Sequence, residues 1–237
     1  MKLSYDLHIH SALSPCGDKD MTPNNIVNMA MLQGLDIIAV TDHNSCGNAE
    51  AAIKASEGTG VLVIPGMEAE TSEGIHTVCL FCDLESAKKA ERIIKESLPA
   101  IKNREDIYGE QLYMDSDDEI IGKEENLLLV SSYISIYELF DIVTGLGGAM
   151  VPAHIDRDSY SITAVLGLIP EDLEIKTIEI SKNKTPVEYI KDNPYLNKYR
   201  YIVSSDAHYL ENISENTNFI DIPEKTPKAV IEYLNGN

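Results

Sequence analysis

Strand-like and helix-like segments alternate along almost the whole chain, and this alternation constrains the fold more than any other feature. Short apolar runs such as LDIIAVTDH are typical of buried strands. The segment TPNNIVNMAMLQGL is typical of a helix, with Thr22 as the N-cap, Pro23 at the first helical position and Gly34 near the end. Strands that alternate with helices predict βα units around a mainly parallel sheet. About seven or eight such units in one α/β domain favour a closed or distorted TIM-like barrel, with an open doubly wound sheet as the alternative.

The segment from about Pro99 to Val130 interrupts the alternation. Its sequence EQLYMDSDDEIIGKEEN predicts a small hairpin that turns at DSDD. We expect this segment, residues 99–130, to be an insertion in a single domain that spans residues 1–237. The glycines of GLGG follow a predicted helix and precede a predicted strand, so they are more typical of a helix C-terminus than of a dinucleotide-binding loop.

The chain is strongly acidic, with 39 aspartates and glutamates against 19 lysines and arginines and a formal net charge of −20. This charge repels a nucleic-acid backbone, and the sequence has no basic stripe with interleaved aromatic residues, so we expect no long nucleic acid as a partner. A small anionic substrate remains compatible if bound cations invert the local field.

Hydrophobicity gives no sign of a membrane protein. The chain has no apolar run of about eighteen residues that would predict a transmembrane helix. Its first residues, MKLSYDLHIHSALSPCG, lack the apolar stretch of a signal peptide. We therefore expect a cytoplasmic protein without a membrane partner.

Four cysteines are too few to predict a disulfide scaffold, and we expect free thiols. Cys79 and Cys82 form a CxxC motif inside an apolar run. Positions three apart on a strand point to opposite faces, so we interpret this pair as small core residues rather than as a metal site.

All six histidines lie at or beside predicted strands, most of them at the C-terminal end. In parallel α/β folds and barrels these ends converge on one face, where active sites lie. A single histidine on a strand is more often structural, but scattered core histidines would not be sorted in this way. We therefore expect a common site that contains His8, His10, His43, His76, His154 and His208.

Three predicted strand ends carry possible ligands two residues apart, a spacing that places both side chains on one side of a strand. Imidazole and carboxylate groups together suit zinc, manganese or iron. The number of candidate ligands exceeds the needs of one four-coordinate ion, so we expect two or three divalent ions. The three pairs are His8 and His10, Glu68 and Glu70, and Asp206 and His208.

The motifs DLHIHS, TDH, GMEAE, AHIDR and SSDAH, in this order, resemble those of the polymerase and histidinol phosphatase (PHP) family. They extend from Asp6 to His208, and the ordered set is far more specific than any single motif. The resemblance implies a distorted seven-stranded (β/α)7 barrel, a cluster of up to three divalent ions and hydrolysis of phosphate esters.

The resemblance also implies which residues bind each ion. The ligands of the first ion would be His8, His10, Glu68 and Asp206. Those of the second would be Glu68, His76 and His154. The third would bind His43, His208 and a residue from the loop after the first strand. The family often has aspartate or histidine six residues after the second histidine, a position that is Cys16 here. Either the Cys16 thiolate or Asp18 would replace it, or the third site would be weak or empty.

Four further residues have supporting roles in this hypothesis. Asp42 has the opposite strand parity to His43 and is a weaker ligand candidate. Glu70 could be a ligand by parity, but the resemblance places the ligand at Glu68. Asp6 is expected to orient a ligand histidine. Arg157, three residues past His154, is the candidate to bind a phosphate oxygen in bidentate fashion.

The sequence thus favours a metal-dependent phosphoesterase that hydrolyses a small phosphorylated metabolite, through water whose pKa is lowered by the ions. Three alternatives remain open at this point: a nuclease or nucleotidase acting on nucleotide ends or short oligonucleotides, a C–N metallohydrolase, and a non-catalytic metal-binding module. The identity of the substrate and the oligomeric state are not predicted.

Overall fold

A computed structural model describes residues 1–237. The ten β-strands span Lys2–Ile9 (β1), Ile37–Val40 (β2), Leu62–Glu70 (β3), His76–Leu80 (β4), Leu112–Met114 (β5), Ile120–Lys123 (β6), Ala149–Pro152 (β7), Thr177–Ser181 (β8), Arg200–Ser204 (β9) and Phe219–Asp221 (β10).

The eight α-helices span Pro23–Gln33 (α1), Ala49–Ala55 (α2), Leu84–Glu96 (α3), Glu105–Tyr108 (α4), Ile136–Gly145 (α5), Ile162–Leu166 (α6), Pro186–Asp192 (α7) and Pro227–Leu234 (α8). Helix α1 begins as predicted, because the Thr22 side chain accepts a hydrogen bond from Asn25 N and Pro23 follows it, and it ends at Gly34 in the left-handed conformation. No helix combines the length and the hydrophobicity needed to cross a membrane.

Seven strands form a distorted ring. One sheet has the order β10-β1-β2-β3-β4-β7, and β8 and β9 form a separate parallel pair. Two seams join the pair to the sheet: Ile155 N donates to Glu179 O at 2.9 Å, and His10 N donates to Ala207 O at 2.9 Å. The ring therefore runs β1-β2-β3-β4-β7-β8-β9 and returns to β1. The predicted distorted (β/α)7 barrel is confirmed, whereas the open doubly wound sheet is not observed.

Within the ring, strand β4 is the exception to the parallel arrangement, because it pairs antiparallel with both β3 and β7. A short turn connects β3 to β4, with Thr71 N donating to Ile75 O at 2.9 Å. A parallel connection would need a crossover of about a dozen residues or more. The reversed direction places the first residue of β4, His76, at the edge where the neighbouring strands end.

Apolar residues pack on both sides of the sheet. One cluster joins Leu7, Ile64 and Val151 of the strands to the C-terminal helix α8. Two others place the sheet against the remaining helices. Cys79 is buried in this core as predicted, but Cys82 is only half-buried because it lies beyond the end of β4.

The segment 99–130 contains α4 and the antiparallel hairpin β5–β6, which confirms the predicted hairpin. Its turn residue Asp118 has a φ of 64° and accepts hydrogen bonds from Thr22 Oγ1 at 2.6 Å and Asn24 N at 2.9 Å. The hairpin is thereby fixed to the start of α1. Gly147 of GLGG, with a φ of 72°, follows the end of α5, as expected for a helix C-terminus.

Candidate metal centre

Glu68 is the centre of a buried group of histidines at the C-terminal edge of the barrel. Its Oε1 lies 3.0 Å from His76 Nδ1, 3.2 Å from His154 Nε2 and 3.4 Å from His8 Nε2. Its Oε2 lies 3.0 Å from His43 Nδ1 and 3.5 Å from His10 Nε2. Each carboxylate oxygen thus faces its own set of imidazoles, the arrangement that a carboxylate bridging two ions requires.

Several buried polar atoms of this group have no hydrogen-bond partner, namely Glu68 Oε2, His76 Nε2 and His154 Nδ1. Such atoms are rare, because leaving a buried polar atom without a partner costs about 1–3 kcal/mol. The Nε2 atoms of His8 and His10 also face each other at 3.2 Å. Divalent cations would satisfy these groups, so the residues present fit the predicted ions.

Electrostatics favour the charged forms of Glu68 and His76. Burial raises the pKa of Glu68, but the imidazoles of His76, His8 and His43 outweigh it and hold this pKa well below the ordinary value. Burial lowers the pKa of His76, but Glu68 and Glu70 outweigh this effect and raise the pKa to about 9. These two carboxylates therefore favour a cation on His76, whether a proton or a metal ion.

We call Glu68, His8, His76 and His154 the inner cluster, and Cys16, His43 and His208 the rim cluster. Nitrogen atoms of His10, His43 and His208 lie within 4.8 Å of one another. Partial enclosure raises the pKa of the Cys16 thiol, but hydrogen bonds with His208 and His43 lower it more, to about 7. Cys16 lines the same cleft as both rim histidines.

Asp18, the other candidate in this loop, has its side chain engaged elsewhere. Its Oδ1 accepts a hydrogen bond from Asp20 N at 2.9 Å. Cys16 lines the cleft above the histidines, and Asp18 does not. Of the two alternatives, the geometry favours Cys16.

The histidines open into a cleft of about 440 Å³, which Cys16, Arg157, Tyr108, Leu129 and Tyr160 also line. Tyr108 and Leu129 come from the segment 99–130. Arg157 is 41% exposed, and its Nη2 lies 2.6 Å from Asp206 Oδ2. The other carboxylate oxygen of Asp206 lies 3.1 Å from His10 Nε2. Asp206 thus connects the arginine to the histidines.

Asp42 lies outside the central group, as its strand parity suggests, and so does Glu70, although it has the same parity as Glu68. Asp42 accepts hydrogen bonds from Ser11 Oγ at 2.6 Å and Ser14 Oγ at 2.7 Å, and Ser14 Oγ lies 2.9 Å from His10 Nδ1. Asp42 therefore acts on His10 through Ser14. Glu70 accepts a hydrogen bond from Ser131 and approaches only one histidine, His76, at 3.5 Å.

The prediction that Asp6 orients a ligand histidine is wrong. Its carboxylate accepts hydrogen bonds from Ser205 N at 3.0 Å and Ser214 N at 2.9 Å. The register of β1 against β2 shifts between Asp6 and Ile9, so simple alternation does not carry from Asp6 to His8. Asp6 instead anchors the backbone that leads into Asp206.

Glu179 was missed by the sequence analysis. It is 1% exposed, and its two carboxylate oxygens lie 3.0 and 3.1 Å from His8 Nδ1. The same carboxylate accepts a hydrogen bond from His154 N at 3.1 Å. A carboxylate on the far nitrogen of a histidine fixes the direction of the other nitrogen. The available signal was an acidic residue inside the apolar strand IKTIEIS.

Two of the candidate ligands have left-handed backbone conformations. His154 has a φ of 32° and Asp206 a φ of 51°. Both residues follow the last residue of a strand closely, so the backbone turns sharply where the side chain enters the cleft.

Two known proteins are similar in sequence to part of this chain. A 5′-3′ exoribonuclease of Haemophilus influenzae is 35% identical over 86 residues, which are 35% of this chain and 30% of that protein. A 3′,5′-nucleoside bisphosphate phosphatase of Chromobacterium violaceum is 34% identical over 73 residues, 31% of this chain and 25% of that protein. The chain thus matches less than a third of the length of either relative.

Among solved structures, the lesion-specific endonuclease EndoQ of Pyrococcus furiosus superposes with a TM-score of 0.69 at 19% identity, covering 100% of this chain and 56% of that chain. A likeness at this identity supports the fold. The family model described as "PHP domain" matches residues 6–190, which is more than half of the chain. This match includes Glu68, Glu179 and five of the six histidines, and the chain therefore belongs to the PHP domain family.

Proposed function

We propose that this protein is a metal-dependent phosphoesterase that hydrolyses a small phosphorylated metabolite, either a phosphomonoester or a small phosphodiester. The observation that carries the proposal is Glu68, a buried carboxylate with five imidazoles within 3.5 Å, at the base of an open cleft that contains Arg157. Membership of the PHP family supports it. The proposed ligands of two or three zinc, manganese or iron ions are His8, His10, His43, Glu68, His76, His154, Asp206 and His208.

The protein residues have separate tasks in this reaction. Glu68 presents one carboxylate oxygen to each set of imidazoles and would hold an ion on each side. Glu179 and Ser14 hold the outer nitrogens of His8 and His10 and thereby direct the inner ones into the site. Bound divalent ions supply Lewis acidity and lower the pKa of water, which makes a nucleophile available near neutral pH.

Arg157 is proposed to bind a phosphate oxygen. In a chain with 39 acidic residues, it is a guanidinium in the wall of the cleft, and its pairing with Asp206 holds it over the site. A guanidinium matches two phosphate oxygens in a fork geometry. Charge that develops on the phosphate during hydrolysis would strengthen this contact.

The test is metal analysis of the purified protein combined with an aryl phosphate assay, followed by a panel of sugar phosphates, nucleotides and an amide substrate. We expect turnover that is lost on chelation and restored by a divalent ion. Arg157→Ala should keep its metal and show weaker phosphate inhibition. Unchanged rates in metal-stripped protein would overturn the proposal.

A nuclease or nucleotidase is the second candidate. The exoribonuclease and bisphosphate phosphatase relatives favour nucleotide-derived substrates. The net charge of −20 argues for short ligands over long polymers. The same panel separates the two, since a metabolite phosphatase would prefer sugar phosphates over nucleotides.

A further inference from the structure

Tyr160 has a left-handed backbone that its residue type does not explain. Five residues other than glycine have a φ in this region: Asn44, Asp118, His154, Tyr160 and Asp206. Asn44 and Asp118 have short polar side chains, which adopt this conformation more readily than others. His154 and Asp206 are candidate metal ligands. Tyr160, with a φ of 57°, is a bulky aromatic residue, so the surrounding structure has to hold it in place.

The loop between β7 and α6 is folded on itself and carries Tyr160 into the metal cleft. Arg157 N donates a hydrogen bond to His154 O at 2.9 Å, and Ser161 Oγ donates to Arg157 O at 2.7 Å. His154, Arg157 and Tyr160 follow one another at intervals of three residues, and all three line the cleft. The loop therefore presents a candidate ligand, a candidate phosphate contact and this tyrosine to the same space.

Tyr160 contacts His76 through both its backbone and its side chain. Its carbonyl oxygen accepts a hydrogen bond from His76 N at 2.9 Å. Its ring centroid lies 4.8 Å from that of the imidazole, with 35° between the two ring planes. Aromatic pairs at this separation attract each other beyond the effect of buried area. In its left-handed conformation, Tyr160 thus reaches the same histidine with its carbonyl and its ring.

Hydrogen bonds alone do not fix the ring of His76 in the way that they fix the ring of His8. The outer nitrogen of His8 is held by the carboxylate of Glu179. In His76, Nδ1 faces Glu68, whereas the buried Nε2 has no hydrogen-bond partner and lies 3.5 Å from Glu70 Oε2. The orientation of this imidazole therefore depends on what packs against its faces.

Three aromatic rings surround the imidazole of His76. The ring centroids of His43 and His154 lie 5.4 and 5.5 Å from it, and that of Tyr160 is the nearest at 4.8 Å. His43 and His154 are themselves candidate ligands, whose positions would respond to a bound ion. Tyr160 is held by its loop and can support His76 whether or not an ion is bound.

We propose that Tyr160 is a positioning residue of the metal centre, whose ring holds the His76 imidazole in the orientation that binds an ion. The inference rests on the metal centre of the proposed function and adds a residue to it. Tyr160 does for His76, by packing, what Glu179 does for His8 by hydrogen bonding. Its unfavourable backbone is retained because it places the ring against this histidine.

The test compares the zinc affinity of wild type, Tyr160→Leu and Tyr160→Phe by competition with a chelator. Tyr160→Leu should lower the affinity by about tenfold, because His76 loses the ring that orients it, and Tyr160→Phe, which keeps the ring, should restore it. Tyr160 is 53% exposed, so the melting temperature of the metal-free protein should change little. The matched control is Tyr133→Leu, since Tyr133 is 74% exposed and does not line the cleft.

A double-mutant cycle shows whether Tyr160 acts through His76. In a His76→Ala background, the ring of Tyr160 has no imidazole to orient, so Tyr160→Leu should cause no further loss of zinc affinity. Tenfold losses that add in the double variant would overturn the inference.

Two further outcomes of these measurements would also contradict the positioning role of Tyr160. Unchanged zinc affinity in Tyr160→Leu, with a higher KM in the aryl phosphate assay, would make Tyr160 a substrate contact instead. Equal losses in Tyr160→Phe and Tyr160→Leu would assign the effect to the hydroxyl group and not to the ring. If the wild type binds zinc but hydrolyses no phosphate ester, the proposed function fails, while the zinc affinities still decide the role of Tyr160.

Discussion

The inner and rim clusters lie a few ångströms apart but are built differently. The inner cluster is enclosed: the Glu68 side chain is 1% exposed, and His8 has a carboxylate on its outer nitrogen. The rim cluster is open on its outer side, since the His208 side chain is 25% exposed and Cys16 is exposed at the cleft mouth, whereas His43 is buried. From this difference we predict that the inner cluster binds a metal ion more tightly than the rim cluster does.

Among the substitutions proposed here, Glu68→Gln should have the largest effect on metal binding and activity, because it disrupts the inner cluster. The amide keeps the shape but removes the charge and one acceptor, so the bridge between two ions is lost. We expect loss of the inner ions and a fall in kcat of ~10³-fold, the scale of several kcal/mol of metal catalysis. Mass spectrometry measures the metal content, and the aryl phosphate assay measures kcat. Glu70→Gln, two residues along β3, is the control and should retain its metal; full activity in Glu68→Gln would refute the bridging role.

Glu179→Gln should loosen the inner cluster without removing a ligand. His8 then loses the carboxylate that fixes its orientation, and metal affinity should fall by about 10–100-fold. Chelator competition measures this change. Glu188→Gln is the control: it removes the same charge on the exposed face of α7, away from the site, and should leave metal affinity unaltered. Equal affinities in the two variants would show that Glu179 is only structural.

Acidification should weaken metal binding. The pKa of His76 is raised to about 9 in the metal-free protein, because Glu68 and Glu70 outweigh the effect of burial. Below pH 9 this histidine carries a proton that an ion must displace, so apparent affinity should decrease about tenfold per pH unit for this group between pH 9 and pH 7. Competition with a chelator across this range gives the slope. A flat profile would contradict the assignment of His76 as a ligand.

Cys16→Ser should have the smallest effect, confined to the rim cluster. With cobalt as a spectroscopic substitute, a thiolate ligand gives a sulfur-to-metal charge-transfer band that serine cannot give. We expect loss of this band, retention of the inner ions and a decrease in activity of about tenfold or less. Asp18→Asn is the control and should keep the band. A wild-type protein without the band would exclude the thiolate ligand.

Local patterns were sufficient to predict much of the fold. Alternating strand and helix segments predicted the barrel, and the caps at Thr22 and Gly34 placed α1 correctly. The direction of β4 was not predicted, because apolar content does not encode direction; the short connection between Glu70 and His76 did contain that information.

The candidate site was predictable where ligands cluster in sequence motifs. The prediction failed where a contact depends on closure of the ring of strands. Glu179 is 171 residues from His8, and only the closure of the ring brings the Glu179 side chain of β8 to His8 of β1, with β9 between the two strands. Asp6 was misassigned for the opposite reason, since a local irregularity in β1 interrupts the alternation that the prediction assumed. The roles of the six histidines, Glu68 and Asp206 as metal ligands remain predictions.

The left-handed backbone at His154 and Asp206 implies a conflict between activity and stability. A residue with a side chain in this conformation costs on the order of 1–3 kcal/mol, which glycine largely avoids. Selection for backbone stability alone would therefore favour glycine at both positions, and a variant stabilised in this way would have lost a candidate metal ligand. A stabilised version of this barrel has to be engineered elsewhere, with these two residues kept as they are.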